Sequence, residues 1–103
     1  MTIKVGQYEF EGPHTSIEKL EDRSGVYAIH CLRADGKYYL IDVGESATVK
    51  TRVEGHDRKP CWQEHCTGTL TVSVYYTPNL QQTGRKVVEQ ELRNLYNPPC
   101  GER

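Results

Sequence analysis

The chain has 103 residues, a formal net charge of −1 and 36% hydrophobic residues. This length supports one hydrophobic core and argues against a second one, so residues 1–103 are expected to form a single domain. The composition excludes global disorder. The near-neutral charge argues against tight nonspecific DNA binding by this chain alone, because such binding draws on a basic field.

No segment predicts membrane insertion or secretion. The longest apolar run, residues 38–41, is far shorter than the roughly 20 residues of a membrane helix, and the N-terminal residues lack a signal-like apolar segment. We therefore expect a cytoplasmic protein without a membrane partner. Four cysteines are expected to be reduced thiols, because the cytosol keeps thiols reduced. They are Cys31, Cys61, Cys66 and Cys100.

The first half of the chain predicts strands. Residues 3–10 alternate imperfectly and indicate a short N-terminal strand or hairpin that Gly12-Pro13 ends. Ser16 can cap a short helical turn over residues 16–20. Residues 25–33 and 37–44 are β-rich and flank an Asp-Gly dipeptide, which is a strong signal for a hairpin turn.

The second half alternates helix and strand. Ser46 can cap a helix over residues 47–55, in which Val49 and Val53 form a buried stripe. Residues 56–66 predict a loop or a short broken helix, and 69–77 predict a third strand. The clearest helix spans 85–96 and ends at Asn97-Pro98-Pro99. The order predicts an α+β fold: a small, mostly antiparallel three-stranded sheet flanked by helices, with an extra N-terminal strand or hairpin.

Several short motifs follow one another in a particular order along the chain. Gly25-Val26-Tyr27 is followed a hairpin later by Val43-Gly44, then by Arg52 and His56 one helical turn apart, and last by Glu89, nine residues before Pro98. This ordered set resembles the GIY-YIG nuclease domain over about residues 16–101. It is similar to the N-terminal nuclease domain found in bacterial excinucleases and to small stand-alone relatives. The resemblance implies metal-dependent hydrolysis of DNA phosphodiester bonds.

The resemblance also implies a role for each residue. Glu89 would bind one Mg²⁺ or Mn²⁺, although a surface pair with Arg93 is the simpler interpretation of the same glutamate. Arg52 would hold the scissile phosphate. His56 could orient or deprotonate the attacking water. Tyr27 would act as general base or would position water, unless it is an ordinary core tyrosine.

The chain departs from the family at the second motif. Asp42 stands where the family has tyrosine, and Glu45 stands where a basic residue is frequent. Two acidic groups should weaken phosphate binding by repulsion. Asp42 has three interpretations: it is a second metal ligand or base, it marks lost activity, or a neighbouring phenol such as Tyr39 replaces the missing one.

A second set of residues suggests a different metal. Cysteine and histidine are typical zinc ligands, but their spacing here is loose and lacks a second clear pair. The simpler interpretation is that Cys61 and Trp62 anchor this loop on the core. The residues of this set are His56, Cys61, His65 and Cys66.

These observations lead to two hypotheses about function. The first is a GIY-YIG-type, excinuclease-like endonuclease in DNA repair, with DNA favoured over RNA as substrate. Its catalytic residues would be Tyr27, Asp42, Arg52, His56 and Glu89. A partner protein would recruit it, because the lone domain is not basic. The alternative is a catalytically weakened nucleic-acid-binding or protein-interaction module that keeps the fold. The oligomeric state stays open.

Overall fold

The protein folds around a single five-stranded sheet. The structure is a computed structural model that describes residues 1–101. The strands follow the order β1-β2-β5-β3-β4 across the sheet, and every neighbouring pair is antiparallel. The strands are β1 (Thr2–Val5), β2 (Tyr8–His14), β3 (Gly25–Leu32), β4 (Tyr38–Ser46) and β5 (Thr69–Tyr76).

The prediction of a three-stranded sheet is wrong. The N-terminal hairpin is not an addition to the sheet, because β2 pairs with β5 and makes all five strands continuous. Gly12-Pro13 was expected to end the hairpin, yet β2 continues to His14. The register shifts between Glu11 and His14, so the irregular stretch accommodates a proline that cannot donate a hydrogen bond.

Three helices and one helical turn complete the part of the chain that the structure describes. The turn is a short 3-10 helix at Ile17–Lys19. The segment predicted as a loop or broken helix contains a short helix, whose Pro60 lies in the first turn, where a missing N–H costs little. The helices are α1 (Val49–Glu54), α2 (Lys59–Glu64) and α3 (Gln82–Tyr96). Among residues 1–101, none of them is long and apolar enough to cross a membrane.

The sheet separates two apolar clusters. Side chains alternate along β3, so Tyr27 and Ile29 lie on one face while Val26 and Ala28 lie on the other. The first face packs against α1 and α2, and the second packs against the N-terminal hairpin and α3. Helices therefore cover both faces, and Tyr27 lies beneath α1 and α2.

All four cysteines form disulfides, so the expectation of reduced thiols is wrong for this structure. Cys31 pairs with Cys66, and Cys61 pairs with Cys100. Their Cα atoms lie 5.5 and 6.0 Å apart, within the usual range for a disulfide. Cys61 lies in α2 and Cys66 lies two residues after it, so both disulfides fasten this short helix to the rest of the domain.

Gly44 explains how Tyr27 fits on the sheet. The two residues are cross-strand partners in β3 and β4. A Cβ atom added to Gly44 would collide with the phenol oxygen and ring of Tyr27. The glycine therefore allows the ring to lie directly on the β4 backbone.

We predict that Gly44→Ala destabilises the domain. The new methyl group must displace a ring that is 1% exposed, and such overpacking costs about 1–3 kcal/mol. Urea denaturation would measure the loss. Gly55→Ala is the matched control, because an added Cβ there meets only an ordinary contact with the Thr51 carbonyl. Equal stability of the two variants would contradict the account of Gly44.

Candidate functional site

The centre of the candidate site is a buried pair formed by Tyr27 and His56. Tyr27 Oη lies 2.6 Å from His56 Nε2. His56 follows the end of α1, and its ring packs against Trp62 with 4.7 Å between the ring centroids. Both side chains are almost inaccessible to solvent. The contact joins the β3 motif to the histidine beyond α1.

The backbone sets the tautomer of His56. The Arg58 N–H donates to His56 Nδ1 over 3.0 Å, so Nδ1 is an acceptor and the ring proton is on Nε2. An Asp57 oxygen lies 3.3 Å from the same nitrogen, but this carboxylate is exposed and accepts from Arg52 instead. Nε2–H therefore donates to the Tyr27 oxygen. Burial, followed by the charges of Arg58 and Arg52, lowers the pKa of His56 to about 4.

The charges of four candidate or neighbouring residues act on the Tyr27 phenol. Burial raises the pKa of Tyr27 to about 12, while Arg58 and Arg52 lower it and the carboxylates of Asp42 and Glu89 raise it. The phenol is therefore neutral near pH 7. Of the five predicted catalytic residues, Tyr27 and His56 are in direct contact, and Asp42, Arg52 and Glu89 act on the phenol through their charges. The phenol would need additional positive charge before it could act as a base.

Asp42 is the most heavily bonded side chain of the site. Its carboxylate is fully buried. Oδ2 accepts from Arg58 Nε over 2.8 Å and from Trp62 Nε1 over 2.7 Å. Oδ1 accepts from Arg93 Nη2 and from the Val43 N–H, each over 2.8 Å. Both oxygens are occupied by protein donors.

These contacts give Asp42 an anchoring role, which the three sequence interpretations did not include. It joins β4 to the start of α2 through Arg58 and Trp62, and to α3 through Arg93. Tyr39, the candidate replacement phenol, donates to Asp35 over 2.6 Å in the β3–β4 turn. Its hydroxyl is thus engaged away from the Tyr27–His56 pair.

Glu89 forms the pair with Arg93 that helical spacing predicts. Arg93 Nε donates to Glu89 Oε2 over 3.1 Å, but the arginine is only 2% exposed, so this is not a surface pair. Arg93 Nη1 also donates to the Cys100 carbonyl over 2.9 Å. The contact uses one carboxylate oxygen of Glu89 and leaves Oε1 for another ligand. One partly exposed carboxylate suits Mg²⁺ or Mn²⁺, which keep several waters when bound.

Arg58 is a site residue that sequence reasoning missed. In the sequence it lies close to Lys50, Arg52 and Lys59, a grouping typical of ordinary solvated surface. Its guanidinium instead bonds Asp42 while 27% of the side chain stays exposed. A buried Asp42 needs a positively charged partner, and this need was the signal that could have identified Arg58.

Two further charges lie at the edge of the site. The side chain of Arg52 is 39% exposed and donates to Asp57 over 3.1 Å. Glu45 accepts from Arg85 Nε over 2.9 Å in a nearly buried pair. Arg85 therefore offsets the negative charge that was expected to repel phosphate at Glu45.

The zinc set predicted from sequence is not one cluster in the described residues. His56 bonds Tyr27, and Cys66 is joined to Cys31. The only group of three or more metal-binding side chains within residues 1–101 is Cys61, His65 and Cys100. Cys100 therefore takes the place that the sequence assigned to His56 and Cys66.

Comparison with known proteins gives no match. No family model, no curated protein and no solved structure matches the chain. The GIY-YIG resemblance therefore rests on motif order alone.

We predict that the His56 ring titrates near pH 4 as the Nε2–H tautomer. Because its folded pKa lies below the ordinary value of about 6.5, the unfolded chain binds the extra proton between these pH values. His56 therefore stabilises the fold fully above about pH 6.5, and this stability is lost as pH falls toward 4. NMR titration of the ring nitrogens measures both properties. A midpoint near 6.5, or a proton on Nδ1, would refute the assignment.

We predict that Asp42→Ala destabilises the domain by about 3–5 kcal/mol, because the nearly buried Arg93 loses the fully buried one of its two carboxylate partners and Arg58 loses its bond to the same carboxylate. Urea denaturation measures the change. Asp57→Asn is the control: it breaks an exposed pair with Arg52 and should leave the unfolding midpoint nearly unchanged. If both variants unfold at the same urea concentration as the parent, Asp42 is not an anchor.

Proposed function

We propose that the chain is a metal-dependent endonuclease of the GIY-YIG type that hydrolyses DNA phosphodiester bonds. The observation that carries this proposal is the buried Tyr27–His56 pair, on which the charges of Arg52, Arg58 and Glu89 act. His56 contacts the phenol directly, and the charged residues of α1, the α1–α2 connection and α3 act on it at longer range. A phosphodiesterase needs a proton acceptor for water, cations for the phosphate and a site for a metal ion, and these residue types supply them.

The geometry divides the work between Tyr27 and His56. In the resting site His56 Nε2–H donates to the phenol oxygen, and its Nδ1 is already bonded by the Arg58 N–H. His56 is therefore suited to stabilise a phenolate. Tyr27, after its phenol has lost its proton to solvent, is the group that would accept a proton from the attacking water. A Mg²⁺ or Mn²⁺ ion at Glu89 would supply positive charge that favours ionisation of nearby groups and stabilises the leaving oxygen.

Arginines provide the expected contacts with the phosphate. Arg52 and Arg58 are partly exposed and are close enough to act on the same phenol. A guanidinium can bind two phosphate oxygens at once, which a lysine cannot do as well. The net charge of −1 still makes a recruiting protein part of the proposal, since the domain lacks a general basic field. The preference for DNA over RNA comes from the resemblance alone.

The location of the protein is part of the same proposal. A cytoplasmic location, where an excinuclease-like repair enzyme would meet DNA, remains a prediction from the sequence. Two disulfides are more typical of oxidising compartments. A cytoplasmic chain would therefore exist with these cysteines at least partly reduced.

One observation favours the second candidate function, a weakened binding module. Asp42 replaces a phenol of the family and its carboxylate is bonded to Arg58, Arg93 and Trp62. A site that has lost one phenol, and that uses part of Arg58 to neutralise a carboxylate, could bind a backbone phosphate without cutting it. The two functions differ in cleavage and share binding.

The test is cleavage of supercoiled plasmid and branched DNA with Mg²⁺ or Mn²⁺. We expect Tyr27→Phe and Glu89→Gln each to lower the rate about 100-fold or more, because each removes a group that acts on the reacting atoms. Tyr75→Phe and Glu91→Gln are matched controls and should cut like the parent. Tyr75 packs on Phe10 and Glu91 bonds Tyr8, so both belong to the hairpin side of the fold.

Two outcomes would overturn the proposal of a nuclease. One is a folded parent chain that cuts neither substrate with either metal. The other is cleavage that Tyr27→Phe and Glu89→Gln leave unchanged. Fluorescence anisotropy with the same branched DNA then decides the alternative: binding without cleavage, weakened by Arg52→Ala, supports the module.

A further inference from the structure

A cluster of sulfur and nitrogen ligands lies at the far end of α2. Cys61 belongs to this helix and His65 is its C-cap, four residues later, so the two side chains share one helical face. Cys100 joins them from the C-terminal segment. The ligand atoms of these three residues all lie within 4.8 Å of one another.

The backbone holds Cys100 at this position. Its N–H donates to the Ile41 carbonyl over 3.1 Å, and its carbonyl accepts from Arg93 Nη1 over 2.9 Å. Cys61 is held by the helix whose Trp62 bonds Asp42. These contacts do not involve the sulfur atoms, so nothing in them requires the disulfide. His65 is exposed, which leaves its ring free to turn toward a ligand.

We propose that the reduced chain binds one Zn²⁺ through Cys61, His65 and Cys100. Two thiolates and an imidazole are a typical donor set for this metal, and a water molecule would complete the tetrahedron. At ordinary zinc–ligand bond lengths of about 2.0–2.3 Å, the three ligand atoms on zinc lie roughly 3.5–4 Å apart. The two sulfur atoms must therefore move apart once their bond is broken, and the other ligand atoms already lie within 4.8 Å of one another. The site differs from the proposed Mg²⁺ or Mn²⁺ position at Glu89, whose ligand is a hard oxygen.

The disulfide and the zinc ion exclude each other. A dithiol reductant donates two electrons and two protons to the Cys61–Cys100 bond, which yields two thiols, while the reductant becomes a disulfide. Zinc then displaces the two thiol protons and binds the thiolates. Either state links α2 to the C-terminal segment. The zinc form would therefore keep Arg58 and Trp62 near Asp42 in a reducing compartment, where the disulfide is lost.

The test uses the full chain after reduction and removal of the reductant. Co²⁺ is the spectroscopic probe, because tetrahedral cobalt–thiolate complexes absorb visible and near-ultraviolet light. We expect one equivalent of Co²⁺ to bind and an added equivalent of Zn²⁺ to displace it. The oxidised chain should give no complex. His65→Ala should weaken binding at least tenfold, and Cys100→Ser should abolish the thiolate–cobalt spectrum.

The double variant Cys31→Ser/Cys66→Ser is the control. It retains the proposed ligands and removes the other two sulfur atoms, so it should bind cobalt like the parent after reduction. Loss of the complex in this double variant, or its full retention in Cys100→Ser, would overturn the assignment in favour of a set that includes Cys66.

Folding must be followed in the same samples. We expect Zn²⁺ to raise the melting temperature of the reduced parent chain, whether or not that chain is fully folded without metal. Circular dichroism measures this change. A reduced chain that is folded yet forms no cobalt complex would overturn the proposal. So would an unfolded reduced chain that gains no structure when Zn²⁺ is added.

Discussion

The buried carboxylate of Asp42 is the constraint on which the rest of the site depends. An isolated charge in a core is costly, and the cost is offset only when good partners surround it. Here two guanidinium groups and an indole N–H supply the partners. Because Arg58, Trp62 and Arg93 come from outside the sheet, one carboxylate brings α2 and α3 to the same point on β4.

The contacts of these partners extend to the phenol. Arg58 uses its side chain on Asp42 and its backbone N–H on His56, and that N–H determines which ring nitrogen faces Tyr27. The Arg93 guanidinium group donates to Glu89 through Nε and to Asp42 through Nη2. The arrangement of Tyr27, His56 and Glu89 is therefore coupled to a residue that makes no contact with a reacting atom in the proposed mechanism.

Sequence patterns recovered the local elements and missed the contacts between distant ones. Alternation in β3, β4 and β5 and periodicity in α3 predicted elements that the structure has, since such patterns report the burial of one face. The residues of the N-terminal hairpin (β1 and β2) do not indicate that β2 pairs with β5. Nothing in the spacing of Arg58 or Arg93 indicates that both bond Asp42, and four cysteines allow three disulfide connectivities that sequence cannot rank. The order of the motifs relates several elements at once and assigned Tyr27 and His56 to one site. In the structure these two side chains form a hydrogen bond.

The charges of the site bear on the proposed phosphate binding, because Asp42 stands where the family that the chain resembles has tyrosine. A carboxylate in place of a phenol adds a fixed negative charge, but Asp42 pairs with Arg58 and Arg93, Arg93 also pairs with Glu89, and Arg85 offsets Glu45. The repulsion expected from two extra acidic residues is therefore largely cancelled within the protein. What the site does not contain is surplus positive charge to ionise a phenol with a pKa near 12. A divalent ion at Glu89 is the simplest source of that charge, and so the proposed dependence on metal follows from the same ion pairs that hold the fold together.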